Sequence, residues 1–248
     1  MNLAYLHQSV DRLCAIVDQL GSSFPPPTIV PRGDGFVDRH KPSQKSNGLL
    51  CYIKAVKLCS TLNGILCLLD KAFVQEAYAL SRISQDQVED IHYMVIPRGP
   101  NQTLDKWQVK ASEEFFQEEF DPTDPVGTSS ERERLARQKV RTAITNDMDD
   151  PSNSNAIAKM TYRTFSGYVH GAYVHTIELH NAFGHYRMHG SPEHLADAIN
   201  YAPHFVFQAV LAIEFFINRS SRDDLTPQIQ ELRYDMMSKC EILPNPKD

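Results

Sequence analysis

The apolar residues of this chain recur every three to four positions, and nowhere do they alternate over a useful length. Leu3, Leu6, Val10, Leu13, Val17 and Leu20 form one stripe, which Gly21 ends. Spacing of about 3.6 places such residues on one face of a helix, whereas a half-buried strand needs a period of two. β-Branched runs are scarce as well. The pattern therefore predicts an all-α fold. A chain of 248 residues buries enough surface for one core without staples, and no internal repeat divides it. We expect a helix over 1–21, a proline-rich loop over 22–45 and a single helical bundle domain over 46–243.

Local signals set the elements. Pro25, Pro26, Pro27, Pro31 and Pro42 exclude helix from Ser22 to Lys45. Leu49–Leu69 reads as a buried helix, with Gly64 and Asp70 as interruptions. Ala72–Tyr93 reads as a second, with Phe73, Ala77, Leu80, Ile83, Val88 and Ile91 inward. Leu104–Phe120 predicts a short helix with an acidic surface. Ser130 and Glu133 form a capping box for the basic helix that follows. Asp147–Ser154 is expected to be a loop, and Ala156 to about Phe183 one long histidine-rich helix. Pro203 is expected to divide Glu193–Tyr201 from His204–Ile217, and Thr226 to cap a last helix ending near Cys240.

Hydrophobic residues at 42% and charged residues at 23% suit a globular chain. The net charge of −6 argues against a broadly basic nucleic-acid scaffold and leaves room for a local phosphate site. The five cysteines are odd in number and lack CxxC spacing, so reduced thiols in a cytosolic protein are expected. Neither a signal peptide nor a run of about 18 apolar residues is visible; Phe205–Ile217 is the most apolar stretch, and no membrane contact is expected.

Chemistry concentrates in Tyr162-Arg163-Thr164-Phe165-Ser166-Gly167-Tyr168-Val169-His170-Gly171. On a helix Arg163 and His170 share a face about 10 Å apart, with Ser166 between them. An imidazole near neutral pKa can move the proton of a ribose 2′-OH or of a leaving 5′-oxygen. A guanidinium can hold a phosphate through two parallel hydrogen bonds. No metal or other cofactor is needed for that chemistry. Arg82 and Asp86 stand one turn apart on an earlier helix, and we expect them beside Arg163, Ser166 and His170 on one polar surface. The structural alternative is a buried polar network that fixes helix register.

The Arg-x6-His element resembles that of the HEPN superfamily (higher eukaryotes and prokaryotes nucleotide-binding domains), although Thr164 stands where many members carry Asn, Asp or His. Arg82 with Asp86, followed by Ser166-Gly-Tyr-Val-His170-Gly171, is also similar to a pattern in uncharacterised bacterial helical proteins of comparable length. These resemblances imply a HEPN-like bundle and a metal-independent endoribonuclease of a toxin–antitoxin or phage-defence system. They further imply Arg163 and His170 as catalytic residues, a homodimer whose cleft joins two motif helices, and an antitoxin or other defence-system partner.

Arg132, Arg134, Arg137, Lys139 and Arg141 are the candidate contacts to an RNA backbone, or else an ordinary solvated face that the acidic helix could neutralise. His170, His175, His180 and His185 recur every fifth residue, which turns a straight helix about 140° away each time, so no metal site is expected. A hydrolase metal held by His175, Glu178 and His180 is a remote option. A non-catalytic helical interaction protein is the alternative to the nuclease.

Overall fold

A computed structural model describes residues 3–30, 39–99, 101, 103–116, 136–180 and 187–240. The described residues are predominantly helical, as the apolar period requires. Helix α1 (Leu3–Gly21) is followed by a two-stranded antiparallel hairpin of β1 (Thr28–Val30) and β2 (Arg39–Lys41), with Ile29 opposite His40. This hairpin lies inside the segment read from its prolines as loop. Next come α2 (Asn47–Asp70), α3 (Val74–Val95), α4 (Lys106–Phe116) and α5 (Arg137–Thr145). The chain continues through α6 (Pro151–Val169), α7 (Tyr173–Thr176), a 3₁₀ turn (Ile177–Leu179), α8 (Pro192–Ile217) and α9 (Thr226–Lys239). Ser130, the expected cap of the basic helix, lies outside the described residues.

Helix α2 organises the bundle. The Ser46 side chain caps it by accepting a hydrogen bond from the Leu49 amide at 3.1 Å. The helix runs unbroken through Gly64, against whose bare face Leu80 packs. Apolar residues surround α2, so it sits among α1, α3 and α8 rather than on the surface. By length and composition it, and not Phe205–Ile217, is the one described helix apolar enough to cross a membrane; over half of that stretch is buried inside the bundle. The α1 stripe from Leu6 to Leu20 enters the same core, together with Ile213, Ile217, Ile229 and Leu232 of α8 and α9.

Four readings from local sequence are corrected. Helix α8 is continuous across Pro203, despite the lost amide and a cost of about 3 kcal/mol for an interior proline. Ala198, Ala202, Val206, Ala209, Val210 and Ile213 bury one stripe across that position, and this burial outweighs the penalty. The histidine-rich helix, by contrast, stops at Val169. Gly171 adopts a left-handed φ of 60°. The Ala172 amide returns to the Gly167 carbonyl at 2.9 Å and the Gly171 amide to Tyr168 at 3.4 Å, a Schellman ending. That helix also begins earlier than its pattern suggests. Asp150 accepts a hydrogen bond from the Asn153 amide at 3.0 Å, and Pro151 occupies the first turn. At α9, Thr226 is the first helical residue rather than the cap, and its hydroxyl donates to Asn218.

Helix α3 departs further from a simple amphipathic plan. Ile83 is exposed, whereas Ser81, Arg82, Ser84, Gln87 and Glu89 are buried. Its two buried sides differ: one meets α2 and α8, the other meets α5 and α6. Gln108 closes its C-terminal end, donating to the carbonyls of Tyr93 and Ile96 at 2.7 and 2.6 Å.

Truncation at the centre of α2 measures this arrangement. Leu58 is fully buried, so Leu58→Ala should lower the unfolding free energy by about 2–5 kcal/mol in a denaturant titration. A change under about 0.5 kcal/mol would place α2 outside the core.

Candidate functional site

The buried side of α3 facing α5 carries Arg82, Asp86, Glu89 and Asp90. Arg82 Nη1 meets Asp86 Oδ1 at 2.6 Å. Arg137 of α5 reaches all three acids: Nε to Asp86 Oδ1 at 2.9 Å, Nη2 to Glu89 Oε2 at 2.7 Å, and Nη1 to Asp90. Lys54 of α2 holds the other Asp90 oxygen at 2.8 Å, and Arg141 Nε lies 3.4 Å from Glu89 Oε1. Four cations thus share three carboxylates. Burial pushes the Glu89 carboxyl above its ordinary value, and Arg137 and Arg141 oppose that shift. The Tyr162 ring of α6 is clasped between two guanidinium groups, with Arg82 Cζ at 3.8 Å and Arg141 Cζ at 3.7 Å from its centre.

This network corrects the reading of the basic run. Arg137 and Arg141 turn inward onto α3 carboxylates and are not free for an RNA backbone. The α3 carboxylates neutralise them. Lys139 lies 3.7 Å above the Trp107 ring. Arg132 and Arg134 lie outside the described residues. Arg82 and Asp86 belong to the same network beneath α6, and the single polar surface expected for them with Arg163, Ser166 and His170 does not form. Tyr162, Phe165 and Tyr168 face inward. Phe165 meets Tyr78 and Phe205, and Tyr168 meets Tyr78. Arg163 and His170 face outward and are exposed, and Ser166 is half-buried.

The outward face is chemically open. Six residues of helix separate Arg163 from His170, which caps the C-terminal end. Neither side chain has a hydrogen-bond or ion-pair partner among the described residues.

Beside this face the chain folds back on itself. The His175 ring stacks on Tyr168 with centroids 4.0 Å apart. Gly167 makes room for it, because any side chain there would collide with the His175 ring. The Tyr168 hydroxyl donates to both oxygens of Glu178, at 3.1 and 3.2 Å, and His175 Nδ1 lies 3.6 Å from Glu178 Oε1. Gln75 of α3 donates to the His175 carbonyl. Burial and then Glu178 raise the Tyr168 hydroxyl pKa, while burial, Asp197 and Glu178 push that of Tyr78 up to about 12. His189 packs against Phe73, and His185 lies outside the described residues. Among the described residues no three His, Cys, Asp or Glu side chains gather closely enough to hold a metal ion. The sequence reading missed Tyr168 and Glu178 as partners; Gly171, a helix terminator, is the signal that brings them together.

A separate cavity of about 370 Å³ opens between α3, α5, α8 and α9, lined by His92, Ile144, Asp147, Glu214, Phe215 and Arg233. Burial lowers the His92 pKa and raises that of Glu214, the latter against Arg233 at 3.4 Å. His92 Nε2 is buried without a hydrogen bond.

Comparison with known protein families, curated proteins and solved structures finds no match to this chain.

Two outcomes follow from these buried charges. Arg137→Met leaves Asp86, Glu89 and Asp90 with too few cations, and should cost about 3 kcal/mol in denaturant unfolding; a loss below about 0.5 kcal/mol would show that the clamp is dispensable. His92 charges less readily folded than unfolded, so stability is full above its unfolded pKa of about 6.5 and falls as pH drops below it. Melting curves from pH 7.5 to 5 should show His92→Phe losing part of this acid-side decline, by at most about 1.4 kcal/mol per pH unit. Identical pH slopes for the two proteins would contradict it.

Proposed function

We propose that this protein is a HEPN-like, metal-independent ribonuclease that works as a pair of copies, with Arg163 and His170 as its reacting groups. One observation carries the reading. These two side chains, one in α6 and one capping it, are exposed and have no hydrogen-bond or ion-pair partner among the described residues, while the neighbouring cations Arg82, Arg137 and Arg141 are held inside the fold.

The chemistry is that of an intramolecular phosphodiester cleavage. His170 removes the proton of a ribose 2′-OH, and the oxygen attacks the adjacent phosphorus. Arg163 holds the non-bridging oxygens with parallel N–H donors and stabilises the charge they gain. The 5′-oxygen leaves with the proton that His170 gained, and a 2′,3′-cyclic phosphate remains. One helix supplies one Arg and one His; two copies meeting along α6 double the set. Arg137 and Arg141 are held on α3 carboxylates, and Arg163 from each copy supplies the phosphate contact at this face. A defence-system partner such as an antitoxin would act by covering this face.

A second reading, a non-catalytic interaction protein, draws on the apolar residues on this exposed side. Ile157 is 51% exposed, Met160 63%, Tyr173 76% and Val174 63%. Such a patch suits a protein partner.

Incubation of the purified protein with diverse RNAs in EDTA separates the two. The nuclease reading predicts 2′,3′-cyclic phosphate ends, and a loss of about 10²–10⁴-fold in rate for His170→Ala. Arg163→Ala should fall on a similar scale. Both residues are exposed, so both variants should melt within a degree or two of the parent. Intact RNA with the parent protein, or unchanged cleavage by His170→Ala, would leave the interaction reading.

A further inference from the structure

Cys14 of α1 faces the turn of α2 that carries Cys59 and Asn63, two residues four apart on the same side of that helix. Asn63, one turn beyond Cys59, donates from Nδ2 to Cys14 Sγ at 3.5 Å and to the Cys59 carbonyl at 3.2 Å. Cys59 is 5% exposed, whereas Cys14 is half-buried and reachable from solvent. The pair is therefore asymmetric: one accessible sulfur with the Asn63 amide aimed at it, and one shielded sulfur in the helical turn behind it.

That asymmetry decides which sulfur reacts. The thiolate is the nucleophile, and donors to it favour its formation. The Cys59 thiol, opposed by burial but helped by Asn63, brings the Cys14 thiol down to about 7, although Asp11 and Asp18 on the same helix resist. The remaining cysteines lack this setting. Cys51 is pushed up to about 12, chiefly by burial. Cys51 and Cys67 each stand eight residues from Cys59 along α2, a rise of about 12 Å that forbids a bond to it. Cys240 lies at the end of α9, and burial raises its pKa.

We propose that Cys14 and Cys59 form an oxidisable dithiol whose oxidant is hydrogen peroxide and whose product is a disulfide tying α1 to α2. The Cys14 thiolate attacks one peroxide oxygen, the O–O bond breaks, and the departing hydroxide takes up a proton as water. Cys14 is left as a sulfenic acid. The Cys59 sulfur, giving up its proton, then attacks the Cys14 sulfur. The S–O bond breaks and a second water leaves. Two thiols and one peroxide become one disulfide and two waters, a two-electron exchange. The bond would close the chain between residues 14 and 59, a stretch that includes the β1–β2 hairpin, and fix the first helix to the core. This inference is independent of the nuclease reading.

The test uses the reduced full-length protein and hydrogen peroxide in modest excess. Intact mass should fall by about 2 Da without dimer formation, and a peptide map should join Cys14 to Cys59. Iodoacetamide at pH 7 should label Cys14 several-fold faster than any other cysteine. In Cys59→Ser the Cys14 sulfenic acid should accumulate and be trapped by dimedone. Should that variant fail to fold, the labelling order and peptide map of the parent protein still decide. Oxidation falling first on Cys67, or Cys14 and Cys59 remaining unlinked while other thiols react, would overturn the proposal.

Discussion

One guanidinium, that of Arg137, holds α5 to α3. Arg137 contacts Asp86, Glu89 and Asp90, three carboxylates that successive turns of α3 present to α5. Like charges this close repel strongly in a medium poorer than water, so α3 cannot be buried with this side bare. Lys54, Arg82 and Arg141 complete the neutralisation, and the last two also grip Tyr162. Helix α6 has no buried residue of its own among its 19. Its attachment is therefore this aromatic clasp and the Tyr78, Phe165 and Tyr168 cluster, rather than an apolar core. The inward face is thus fully engaged, and Arg163 and His170 are left on the other side.

Much of the fold was legible locally. The Leu3–Leu20 stripe, the apolar run of α2 and the prolines after Gly21 each act within a few residues, and the helices follow from them. What the sequence concealed involves partners far apart in the chain. Arg82 and Asp86 are visible as a pair because they stand one turn apart, but Arg137 is separated from them by the whole of α4. A basic run looks the same whether it faces water or carboxylates, which is why Arg137 and Arg141 read as outward. Pro203 shows the converse: its local penalty is plain, and the burial that overrides it is not.

The candidate site divides the same way. The spacing of Arg163 and His170 is legible in the sequence, and both are exposed, Arg163 within α6 and His170 capping its end. The fold-back of Tyr168, His175 and Glu178 needs the chain to reverse at Gly171, and an uninterrupted helix would have carried His175 elsewhere. Asp150 before Pro151 is a start signal of ordinary strength that the polar composition of 147–154 masked. The approach of Cys14 to the Cys59–Asn63 turn depends on the packing of α1 on α2, for which cysteine spacing along the chain offers no cue.

The central claim is that α6, the helix bearing the proposed site, is attached through Tyr162 and the buried charges rather than through the core. Native-state hydrogen exchange of Tyr162→Leu measures this most directly. Leucine fills part of the space and keeps helix propensity but gives up the two guanidinium contacts. The account predicts that amides across residues 155–169 lose protection while those of α2 and α8 keep theirs, a local opening short of global unfolding. Unchanged protection in α6, or an equal loss throughout the bundle, would contradict it.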